Sequence, residues 1–182
     1  IVGTKPTSVS MAEAAALPLT AITAWELLFD RLGVPQGGGE GQALLVVGAA
    51  GGVGSVLVQL ARRLTSLRVI GTASRPETQE WARELGAHDV VDHSGDLAAA
   101  VRELGVTHVE LIAGLTATDD HWAAYADLVA PQGRIGVIDD PADGLDVMPL
   151  KQKCASLHWE FMFARPVHQT PDMVEQHRLL TE

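Results

Sequence analysis

From residue 43 onward, short apolar runs alternate with stretches in which apolar residues recur at helical spacing. Leu44-Leu45-Val46-Val47 is apolar at consecutive positions and bounded by Gly48, the pattern of a parallel strand buried on both faces. Val53, Val56, Leu57, Leu60, Ala61 and Leu64 then mark one face of a helix. The same reading predicts strands over Arg68–Ala73, Asp89–Asp92, Thr107–Ala113, Gly133–Ile138 and Leu157–Phe163, with Phe161 and Phe163 alternating on the last. Between them it predicts helices over Glu77–Leu85, with Trp81 and Leu85 inward, over Gly95–Leu104, and over Asp119–Val129. Leu97, Val101 and Leu104 share one side of the second of these, and Trp122, Tyr125, Ala126 and Val129 one side of the third. Alternating strands and helices specify a parallel sheet covered on both faces.

Ahead of this core, Ser10-x-x-Glu13 has capping-box spacing and opens a short helix that Pro18 should stop. A second helix is predicted over Thr20–Leu32, so residues 1–36 are read as leading helices. Gly37, Gly38, Gly39 and Gly41 make a flexible link into the first strand. Pro171 is placed to open a final helix. No repeat or second domain is visible. The chain begins at Ile1 rather than Met and stops at Glu182 in a running helical pattern, so it is expected to be a piece of a longer protein.

Composition narrows the partners. With 182 residues and 47% apolar content the chain can bury a proper core, and no run resembles the ~18 apolar residues of a membrane span. A single cysteine, Cys154, excludes an internal disulfide and a multi-cysteine zinc lobe within this chain, and no base arrangement accompanies it. The seven histidines form no HxxxH or Cys/His cluster, so no metal site is expected here. A net charge of −10 argues against a nucleic-acid backbone as partner. Without a basic leader or cleavage signal, a cytoplasmic setting is expected.

The chemistry concentrates after the first strand. Ala49-x-Gly51-x-x-Gly54 sits between strand and helix, where small residues let backbone turn tightly and approach a pyrophosphate. Unpaired N–H groups and the positive dipole end of the new helix, near Gly52 to Ser55, would face the phosphates. Ala49, Ala50, Gly51, Gly52 and Val53 are therefore candidate cofactor contacts. About 20 residues past the last glycine, where an NAD site holds an acid for the ribose hydroxyls, stands Ala73, followed by Ser74 and Arg75. A carboxylate would repel a 2′-phosphate, whereas Arg75 can fork onto it and Ser74 can donate, so NADPH is expected over NADH. His93 after the third strand could flank the same end. Asp139, Asp140 and Asp143 follow the fifth strand, either at the ligand edge or as an acidic turn before Pro141. Phe161 and Phe163 could be core or could wall a nicotinamide.

Together, Leu17-Pro18-Leu19-Thr20-Ala21-Ile22-Thr23-Ala24-Trp25, Gly48-Ala49-Ala50-Gly51-Gly52-Val53-Gly54, Leu85-Gly86-Ala87-His88-Asp89-Val90-Val91 and Pro131-Gln132-Gly133-Arg134-Ile135 resemble the medium-chain dehydrogenase/reductase superfamily. Within it the chain is most similar to the quinone oxidoreductase and zinc-type alcohol dehydrogenase-like branch. The resemblance implies a doubly wound Rossmann sheet in the order 3-2-1-4-5-6. It also implies NADPH-dependent hydride transfer to a quinone, enone or carbonyl, and a GroES-like catalytic domain that is absent from this chain. It places Thr23 near the nicotinamide amide and Gly51 to Val53 at the pyrophosphate. Ser74, Arg75 and His93 then fall at the 2′-phosphate, and Gly114, Leu115 and Asp139 beside the nicotinamide ribose. No catalytic residue and no zinc ligand is expected within these residues. Relatives pair their cofactor domains through the last strand, so a homodimer through Leu157–Phe163 is expected. Two other readings compete: an NADPH-binding sensor or scaffold without turnover, and an S-adenosylmethionine methyltransferase. The methyltransferase would want an acid where Ala73 stands.

Overall fold

A computed structural model describes residues 3–182. Strands β1 (Ala43–Val47), β2 (Arg68–Thr72), β3 (Asp89–Val91), β4 (Val109–Gly114), β5 (Val129–Val137) and β6 (Ser156–Trp159) form one sheet in the order β3-β2-β1-β4-β5-β6. Every neighbouring pair is parallel. The crossovers α2 (Gly52–Leu64), α3 (Pro76–Glu84), α4 (Leu97–Glu103) and α5 (Thr118–Leu128) cover both faces. From β1 the chain winds outward to β3 and then returns to the other side as β4. The loops leaving β1 and β4 therefore diverge and open a crevice at the sheet's carboxyl edge.

Side chains alternate across the strands, which explains why β1 is apolar throughout. Leu44 and Val46 pack with Val69, Leu111 and Ala113 against Leu57, Val58 and Ala61 of α2. Leu45 and Val47 pack with Ile70, Ile112 and Ile135 against Val101, Tyr125 and Leu128. Each Val, Leu or Ile side chain among these, fully buried, contributes about 1.5–3 kcal/mol relative to exposure.

The leading segment departs from the sequence reading. Pro18 does not end a helix: α1 runs Met11–Trp25 through it and continues as a π-helical segment Glu26–Arg31, in which Leu32 N–H donates to Leu27 O at 2.8 Å. Proline forfeits one backbone bond, but the helix is fixed on both sides of it. Ser10 and Glu13 close the capping box at the start (Ser10 N–H to Glu13 Oε2, 2.8 Å), while Ile22, Ala24, Leu27 and Leu28 are buried downstream. By length and composition Met11–Arg31 could cross a membrane, contrary to the composition-based expectation. The burial of its second half in the core assigns that apolarity to packing.

The sixth strand is shorter than predicted. Glu160 N–H still donates to Val137 O at 3.0 Å, but β5 ends there, so Phe161 and Phe163 find no strand to pair with. They stand exposed beyond β6, stacked edge-on at 5.6 Å. Trp81 also faces outward rather than inward: it is 47% exposed, and its indole N–H donates to Ser55 Oγ at 3.0 Å. Three short helices complete the described chain, α6 (Met148–Lys151), α7 (Ala164–His168) and α8 (Glu175–Leu179). Pro171 lies in the turns before α8 rather than within it.

Candidate functional site

The crevice is a cleft of about 800 Å³ running from the β1–α2 turn to the ends of β2 and β3. Gly48, with φ of 85°, leaves β1 in the left-handed region, and a Cβ there would stand 2.9 Å from Thr116 Cγ2. Gly51 N–H closes the turn on Gly48 O at 3.0 Å, and α2 begins at Gly52 with no side-chain cap. The N–H groups of Gly52, Val53 and Gly54 thus have no acceptor within the helix. Gly54 is needed for another reason: a Cβ there would fall against the backbone oxygens of Gly48 and Ala49. This close approach seats the helix start directly on the strand end.

The lining residues are Thr20, Gly48, Ala50, Gly51, Gly52, Val53, Gly54, Thr72, Ser74, Arg75, Thr78, His93, Leu115, Thr116 and Ile138. None carries a carboxylate. Arg75 is the cation of the set; its Nε lies 3.4 Å from Glu77 Oε1, with both side chains 70% exposed. An ion pair so exposed holds Arg75 only weakly.

Of the positions singled out from the sequence, Ala50, Gly51, Gly52, Val53, Ser74, Arg75, His93 and Leu115 meet in this one cleft. Four others sit behind or beside it. Ala49 is fully buried; its N–H donates to Thr72 O at 3.1 Å, and its methyl fits because the opposite residue is Gly71, where a Cβ would come to 2.9 Å. Gly114 is packed under Tyr125, whose Cε2 would meet an added Cβ at 2.8 Å. Thr23 is buried, its hydroxyl donating to Leu19 O at 2.8 Å; Thr20, one turn earlier, reaches the cleft instead. Asp139 caps α5, accepting Thr118 N–H at 2.9 Å and Thr118 Oγ1 at 2.5 Å. It does what an N-cap side chain does elsewhere, because Ala117 at that place has none to offer.

The sequence reading missed Thr20, Thr72, Thr78, Thr116 and Ile138. Thr72 is fully buried, yet its Oγ1 accepts Gly48 N–H at 3.1 Å and lies 2.6 Å from His93 Nδ1. His121 stacks beside His93 at 5.6 Å, and burial, then the charge of His93, pushes the His121 pKa down. Nothing in sequence links Thr72 to His93; the β2–β3 register, which pairs Thr72 with Val91, does.

The chain matches the family model of the zinc-binding dehydrogenases over residues 52–174. Over its whole length it is 40% identical to a zinc-type alcohol dehydrogenase-like protein of Staphylococcus aureus strain Mu50, of which it covers 55%. A provisionally classed zinc-dependent alcohol dehydrogenase protein from Rhizobium etli CFN 42 superposes with a TM-score of 0.93 at 57% identity, covering all of this chain and 53% of that one. The quinone oxidoreductase from Thermus thermophilus, solved also with NADPH, gives a TM-score of 0.74 at 25% identity over 96% of this chain and 54% of its own. The chain belongs to the zinc-binding dehydrogenase family, within the medium-chain dehydrogenase/reductase superfamily of oxidoreductases. It spans about half the length of the relatives it matches. Despite the family's name, no group of three or more His, Cys, Asp or Glu able to hold a metal occurs among the described residues.

Proposed function

We propose that this chain binds NADPH in the β1–α2 cleft and serves an oxidoreductase that reduces a small quinone, enone or carbonyl compound. The observation that carries the reading is the cleft itself: a glycine-walled strand end, a bare helix start, and a lining that holds Arg75 and Ser74 but no carboxylate. A bound reduced nicotinamide supplies a hydride for an electrophilic carbon. The protein's share is to hold, aim and shield. Gly51, Gly52 and Val53 offer backbone N–H groups to the pyrophosphate, aided by the α2 dipole. Ser74 and Arg75 meet the ribose phosphate, while Leu115 and Ile138 give the other end an apolar wall.

Cofactor choice tests this directly. A 2′-phosphate carries close to two negative charges near neutral pH, and a guanidinium beside it forms charge-assisted hydrogen bonds. Such bonds contribute roughly 1.5–3 kcal/mol, about a ten- to hundredfold change in a binding constant. Arg75→Ala is expected to weaken NADPH by that factor and leave NADH nearly unchanged, measured by fluorescence titration at fixed salt because screening weakens the charge term. Equal losses for the two cofactors would mean that Arg75 supports the loop and reads no phosphate.

The same reading includes a second copy of the chain at β6. There the sheet edge offers unpaired backbone groups, with Trp159, Phe161 and Phe163 exposed beside it. A strictly monomeric chain by light scattering at about 0.1 mM would contradict this part.

A further inference from the structure

Thr72 is a buried hydroxyl in an apolar strand, and it stands between the turn after β1 and His93. Its Oγ1 accepts Gly48 N–H at 3.1 Å, and its backbone oxygen accepts Ala49 N–H at 3.1 Å, so the residue holds the strand end of the turn twice. On its other side Oγ1 is 2.6 Å from His93 Nδ1. A hydroxyl that already accepts one N–H has one O–H to give. Given to Nδ1, it makes that nitrogen the acceptor and puts the ring proton on Nε2. We propose that Thr72 is a positioning residue for cofactor selection, fixing His93 as an Nε2–H donor at the end of the cleft lined by Ser74 and Arg75.

The inference rests on reading the cleft as an NADPH site, and it gives Thr72, which lines that cleft, a role exerted through His93. Without Thr72 the imidazole is free to flip or to change tautomer, and Nε2 can turn from donor to acceptor. An acceptor faces a phosphate oxygen unfavourably, whereas NADH, with no phosphate there, is indifferent to the change. The β2–β3 pairing makes the link possible: Thr72 lies opposite Val91, two residues before His93. His121, with its ring 5.6 Å away, flanks the imidazole as a second ring.

Two measurements decide it. Long-range proton–nitrogen NMR of the ligand-free chain at about pH 8, where an ordinary imidazole is neutral, should find His93 protonated on Nε2. Thr72→Val, which keeps shape and removes the hydroxyl, should erase that preference, and Thr72→Ser should restore it. In parallel titrations Thr72→Val should lower the NADPH-to-NADH affinity ratio about tenfold, and Thr72→Ser should recover it. A wild-type His93 protonated on Nδ1, or an unchanged ratio in Thr72→Val with wild-type binding intact, would overturn the assignment of Thr72 alone. A wild-type chain that binds neither nucleotide would overturn the reading of the cleft and this inference with it.

Discussion

Gly54→Val is expected to lower thermal stability and to abolish nucleotide binding together. A Cβ at this position would stand 2.7 Å from Ala49 O and 2.8 Å from the Ala49 carbonyl carbon, closer still to Gly48 O, and these are backbone atoms of the strand end that cannot swing aside. The first turn of α2 would have to lift off β1, carrying Val58 and Ala61 away from Leu44 and Val46. Overpacking of this kind costs about 3 kcal/mol, which for a domain of this size is roughly 6–12 °C in Tm. Gly54→Ala, with the smallest side chain that carries a Cβ, should show the same loss of binding with a smaller fall in Tm. The measurement is thermal unfolding paired with NADPH titration. Unchanged Tm and affinity in Gly54→Val would show that the helix start does not approach the strand as closely as its backbone indicates.

The pH dependence of stability is the second large effect, and it arises far from the cleft. Glu26 and Glu160 have fully buried side chains between the π-helical segment, β6 and α8. Arg165 donates to Glu26 Oε1, as does Gln176 Nε2 at 2.9 Å; Arg31 Nε donates to Glu160 Oε2 at 2.9 Å. Burial, then the neighbouring Glu26 charge, pushes Glu160 up to about 8, so it holds its proton at neutral pH. A raised carboxyl pKa stabilises the fold only while the proton is bound. The contribution is complete below the unfolded value near 4.5 and is lost as pH rises through about 8. Between these limits the loss is on the order of 5 kcal/mol. Glu160→Gln keeps a donor and an acceptor and removes the titration, so its stability should fall much less steeply between pH 5 and pH 9 than that of the wild type. Denaturant unfolding across that range reads the difference. Parallel curves for the two proteins would show that Glu160 ionises freely in the folded state.

What the sequence disclosed, and what it hid, divides along the range of the interactions. The β1 run and the small residues after it were legible because a doubly covered strand must be apolar at every position, and a phosphate turn must be small. Ser74 and Arg75, singled out by the acid missing at Ala73, do line the cleft. Thr72 was not: a threonine in Arg-Val-Ile-Gly-Thr is an ordinary β-branched strand residue until β3 brings His93 to it. Pro18 misled because its local cost is outweighed by a capping box on one side and a buried apolar turn on the other. Glu26 and Glu160, 134 positions apart by their numbers, give no local sign of a shared site. Lys153 likewise gives no local sign of its contacts. Its Nζ in fact donates to the carbonyls of Ala126, Asp127 and Val129 at 2.9, 2.7 and 2.9 Å, closing the end of α5.

Everything proposed for the cleft depends on whether a dinucleotide enters it. Isothermal titration of NADPH into the 182-residue chain at neutral pH and low salt is the most direct measurement. Saturable one-to-one binding is the expected result, lost in Gly54→Val and weakened in Arg75→Ala, with no reduction of quinones or enones by this chain alone. No saturable heat at millimolar NADPH would contradict the assignment of the β1–α2 crevice as a cofactor site.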